Sequence, residues 1–131
     1  MIYYEYTIHP EVLFDDMLFN GMKFSKTKPI RFVTIQEQLQ PFVDQRILQY
    51  KKVDTQKENN FYYISPLTQN IVYYYTKNEL FQKPTKFIYS LAQQIGIPTH
   101  TEKNIPKSRD FLALEILHFQ EETLRKLKDD I

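Results

Sequence analysis

The chain has 131 residues and a formal net charge of +1, with 42% hydrophobic and 25% charged residues, ten Phe and ten Tyr, and neither Trp nor Cys. This is the composition of an ordered globular protein, read as a single domain over residues 1–131, and it excludes a disulfide framework, a thiolate metal site and a cysteine nucleophile. With Gly21 and Gly96 as its only glycines, the chain also has no glycine-rich phosphate loop.

Ile2, Tyr4, Tyr6 and Ile8 alternate with Tyr3, Glu5 and Thr7, the period of a half-buried strand, and Pro10 ends it. Leu13, Phe14, Met17 and Leu18 then fall at helical spacing, with Glu11 in the first turn and Gly21 at the C-cap position, which predicts a short buried helix. Lys23 to Pro29 reads as a basic loop and Ile30 to Ile35 as a second strand. Leu39, Phe42, Val43, Ile47 and Tyr50 predict an amphipathic helix within residues 36–51, starting near Gln40 because Pro41 is tolerated only in a first turn. Residues 54–60 are polar and read as a loop.

Phe61 to Ile64 and Ile71 to Tyr75 are aromatic and β-branched runs flanking a turn-forming segment, so residues 61–76 predict a β-hairpin. One turn of helix follows around Glu79 to Phe81. Thr85 then opens a helix with Phe87, Ile88, Leu91 and Ile95 on one stripe, stopped by Gly96 and Pro98. Residues 97–107 read as a long connection, and Ser108 caps a last helix whose first half, Phe111 to Phe119, is expected to be buried. The order predicts an α+β fold: a small, mainly antiparallel sheet of about four strands including the hairpin, helices packed on it, and a long C-terminal helix.

Charge is unevenly spread. Residues 1–20 carry four acids and no base, whereas residues 21–60 carry eight bases and four acids. Such asymmetry either steers a partner or cancels in three dimensions, and cancellation is the expectation. The N-terminus lacks the basic and apolar regions of a signal peptide, and no apolar run approaches the roughly 20 residues that span a bilayer. A cytoplasmic protein without a membrane partner is expected.

Three constellations invite a chemical reading. Glu115, His118 and Glu122 share a helix face at the spacing used by carboxylate metal sites, but matching ligands on other elements are not legible, and no metal or other cofactor is expected. Asp15 and Asp16 are neighbours that would diverge on a helix, and Ser65, Ser90 and Ser108 lack a nucleophile elbow. No catalytic residue is assigned, and no enzymatic activity is expected.

The hairpin points to binding. Pairing Ile64 with Ile71 puts Tyr62, Tyr73 and Tyr75 on one face and Phe61, Tyr63, Val72 and Tyr74 on the other, so both faces are aromatic in either register. Tyrosine tolerates water while burying its ring, which suits an interface. The expectation is a protein-binding module of inhibitor, immunity or adaptor type that uses Tyr62, Tyr63 and Tyr74 with Lys23, Lys26 and Lys28, its partner another protein or a second copy. The alternative is a nucleic-acid-binding accessory protein using Lys51, Lys52 and Arg31, with Lys57 nearby and tyrosines for base stacking.

Overall fold

The computed structural model describes residues 2–55 and 60–129. In chain order these are β1 (Ile2–Ile8), β2 (Asp16–Phe19), β3 (Met22–Ser25), β4 (Ile30–Phe32), a 3-10 turn (Glu37–Leu39) and α1 (Gln40–Asp44). There follow β5 (Leu48–Asp54), β6 (Tyr62–Ile64), β7 (Ile71–Tyr73), α2 (Lys77–Phe81), α3 (Thr85–Ile95) and α4 (Arg109–Asp129). The architecture is α+β, with a five-stranded mixed sheet in the order β5-β1-β4-β6-β7 and a separate two-stranded sheet of β2 and β3. The chain divides into two compact units, residues 1–63 and 64–131. Among the described residues no helix is long and apolar enough to cross a membrane.

In the first unit β1 is the central strand, antiparallel to β4 on one side and to all seven residues of β5 on the other. Its two faces differ. Tyr6 and Ile8 lie with Ile30, Phe32 and Leu48 in a buried cluster, whereas Tyr3 is buried on the opposite face, its ring 5.8 Å from that of Phe61. The Tyr6 hydroxyl accepts a 2.9 Å bond from the Gln36 backbone N–H, which fixes the start of the 3-10 turn. β4 and β6 run parallel, with Phe32 beside Tyr62.

One expected helix is a hairpin, and another is cut short and gives way to a strand. Instead of a helix from Glu11, residues 16–25 form a hairpin with Met17 opposite Phe24 and Phe19 opposite Met22. Asn20 and Gly21 both take positive φ, 49° and 80°, the requirement of a two-residue hairpin turn. Leu13, assigned to the buried helix face, is fully exposed. The predicted basic loop is also shortened, because Lys23 lies in β3.

The second expected helix begins near Gln40 but stops at Asp44, where Arg46 turns left-handed at φ 59° and the Ile47 N–H donates to Phe42 O at 2.9 Å. The chain then leaves as β5 to complete the pairing with β1. Residues 56–59, including Lys57 and most of the expected polar loop, lie outside the described residues.

In the second unit the segment Ser65 to Asn70 joins β6 to β7 and also finishes α3. Ser65 Oγ donates to Ile95 O at 2.5 Å, and Thr68 Oγ1 and Asn70 Nδ2 both donate to Gln94 O, at 2.8 and 3.0 Å. Carbonyls that a helix end leaves without partners are thus capped by a hairpin loop. Gly96 completes the stop at φ 99°, and a Cβ there would lie 2.8 Å from Thr68 Cγ2. α2 opens with a capping box between Thr76 and Glu79.

Ser108 Oγ accepts from Phe111 N at 3.2 Å at the start of α4, which buries Leu112, Ala113, Ile116 and Gln120. The first half of α4 is not buried all round. Phe111 and Leu114 are 54% and 51% exposed.

Candidate functional site

Tyr73, the last residue of β7, and Tyr75 lie side by side, with ring centroids 4.7 Å apart and planes 65° apart. Tyr75 meets Phe87 of α3 edge to face at 5.5 Å, and the Lys83 ammonium lies 4.9 Å from the Phe87 centroid and 5.8 Å from that of Tyr75. All four side chains are half-buried. Together they form an aromatic shelf with a cation at its edge.

The shelf is built on fixed backbone. Gln120, buried in α4, accepts from Tyr75 N at 3.2 Å and donates to Tyr75 O at 2.7 Å, which holds the backbone of Tyr75 against α4. Arg109 Nη1 donates to Phe81 O at 3.3 Å and Lys83 O at 3.0 Å, tying the turn between α2 and α3 to the start of α4. Lys77 and Lys86 are exposed on α2 and α3, so residues 77–86 carry three lysines against the single acid Glu79.

The residues assigned from sequence fall in several places. Tyr63 is only 3% exposed and lies in the core. Tyr62 and Tyr74 are half-buried. Burial, reinforced by the Glu121 carboxylate, holds the Tyr74 hydroxyl above its ordinary range.

Three of the assigned basic residues pair with acids of the N-terminal segment. Lys23 lies 3.4 Å from Asp16, and Lys26 lies 3.6 Å from Asp15 while donating to Val12 O at 2.6 Å. Arg31 bonds Glu5 and stacks over Tyr3, its guanidinium carbon 5.0 Å from the ring centroid. Lys28, Lys51 and Lys52 are exposed. Part of the charge asymmetry of the sequence therefore cancels, at these three pairs.

The Glu115, His118 and Glu122 constellation does not close. Glu115 pairs with Lys107 at 2.9 Å, and Glu122 pairs with Arg125 at 2.6 Å, a hydrogen bond that holds its carboxyl below the usual range. Among the described residues no three metal-ligating side chains converge. A groove of about 470 Å³ runs beside α4, lined by Pro98, His100, Thr101, Glu102, Lys107, Phe111 and Glu115. Within it the Glu115 charge is met by Lys107, and His100 Nδ1 is 2.8 Å from Thr99 Oγ1.

Tyr73 and Tyr75 were legible as sharing a hairpin face, but Phe87 reads from sequence as one more member of a buried stripe. The role of Lys83 depends on the turn before α3, which local spacing does not reveal. No family model, curated protein or solved structure matches the chain.

Proposed function

We propose that this chain is a non-enzymatic protein-binding module that docks a partner on the shelf of Tyr73, Tyr75 and Phe87. The observation that carries this reading is the fixed, half-exposed set of rings, with Tyr75 clamped through its backbone by Gln120. Aromatic side chains held in place bury much area on docking while losing little conformational freedom, which lowers the entropic cost of association. The lysines around the shelf favour a partner whose apolar anchor is bordered by carboxylates.

The test compares proteins retained from the native host's lysate by the wild-type chain and by Tyr75→Ala and Lys83→Glu variants, each first shown to fold by its cooperative melt. Retention of one protein by the wild type, weakened in both variants, supports the reading. Equal retention by folded variants contradicts it.

A further inference from the structure

A different surface, the outer edge of β5, belongs to the first unit. β5 ends the sheet, and among the described residues no strand pairs with its outer side, although it is seven residues long and residues 49–52 are all exposed. An edge of this length presents a row of outward N–H and C=O groups, a template for one more strand.

The register says what chemistry that strand needs. Arg31, Glu5 and Lys51 stand opposite one another on β4, β1 and β5, so one face carries a row that reads cation, anion, cation and stops at the open edge. The next position in the row suits an anion. On the other face Lys52 is opposite Tyr4, and Tyr50 is 36% exposed with its ring 5.2 Å from Tyr6 and 6.2 Å from Tyr4. A residue facing Lys52 likewise suits an acid, and one facing Tyr50 extends an aromatic cluster.

We infer that the β5 edge accepts an extended acidic segment of another protein as an added antiparallel strand, with consecutive carboxylates opposite Lys52 and Lys51 followed by an aromatic residue opposite Tyr50. Side chains of consecutive strand residues point to opposite faces, so each carboxylate meets its own lysine. The backbone supplies affinity, and the lysines select acids over bases.

The probe is a labelled peptide containing Val-Glu-Glu-Tyr between threonines, added to the full chain and followed by fluorescence anisotropy and by amide NMR of residues 48–54. Binding with slowed exchange of alternate β5 amides is expected. Affinity falls about tenfold or more for a Val-Lys-Lys-Tyr peptide, and falls similarly when K51Q/K52Q replaces the wild-type chain. A peptide with proline in place of one central Glu, which removes a backbone donor, should also bind weakly. Absence of Val-Glu-Glu-Tyr binding, equal binding of the proline control, or binding of oligothymidylate alone would each overturn the inference. The glutamine variant leaves no like charge beside Glu5, and its melt establishes that the edge is intact.

Discussion

Glu5 and Arg31 are directly opposite across β1 and β4, and one carboxylate oxygen, Oε1, receives both Nη2 at 2.8 Å and Nε at 3.3 Å. Their side chains are only 11% and 24% exposed, so this pair is shielded in a way that the Lys23–Asp16 pair of β3 and β2 is not. Arg31→Met leaves the Glu5 carboxylate half-desolvated without its partner and is expected to cost about 1–3 kcal/mol. Adding Glu5→Gln should recover part of that loss. Urea denaturation of the two single variants and the double variant measures the coupling.

Gly96 is the position where the second unit is least tolerant of a side chain. Gly96→Ala must hold φ near 99° and bring its Cβ to 2.8 Å from Thr68 Cγ2 and 3.0 Å from Leu67 Cβ. The expected loss is about 1–3 kcal/mol, read from the urea midpoint. Gly21→Ala, in an exposed hairpin turn, should cost less.

Gln120 serves two backbone groups at once. Gln120→Leu keeps most of the buried volume but removes the two hydrogen bonds that Gln120 makes to the Tyr75 N–H and C=O, with an expected cost of about 1–3 kcal/mol. A loosened Tyr75 should show faster amide exchange than its neighbours in β7, a local effect that global destabilisation would not produce.

Alkaline pH should destabilise the fold through Tyr6. Burial holds its hydroxyl above the ordinary value of 10.0, with the Gln36 N–H opposing and Tyr50 and Tyr4 adding. The folded state therefore prefers the neutral phenol. Its contribution is fully present below the unfolded value and is lost as pH rises through the higher folded value. Urea midpoints measured from about pH 9 to about pH 11 should fall, and a Tyr6→Phe variant should fall less steeply.

The elements read correctly from sequence are those whose determinants are local. β1 shows its alternation, α3 is stopped by Gly96, α4 starts at Ser108, and the β6–β7 hairpin is framed by its own apolar runs. The two errors occur where helical spacing coincided with a pattern that long-range pairing decides. In residues 11–21 the Asn20–Gly21 dipeptide between apolar residues was the contrary signal. Nothing local marks β5, because Ile47 and Tyr50 fit the preceding helical stripe, and Tyr50 joins a strand only by pairing with Tyr6. The aromatic shelf was half legible for the same reason: the aromatic hairpin was visible, but Tyr63 entered the core while Phe87 and Lys83 arrived from other parts of the chain.

The most direct measurement places a photo-crosslinking phenylalanine analogue at position 73 and, in a second protein, at Leu13, which is fully exposed and apolar. Both are irradiated in native lysate with nuclease. A protein adduct formed from position 73, absent from position 13 and abolished by adding Lys83→Glu, is the predicted result. The same adducts from both positions, or none from position 73 in a folded protein, would contradict a docking role for the aromatic shelf.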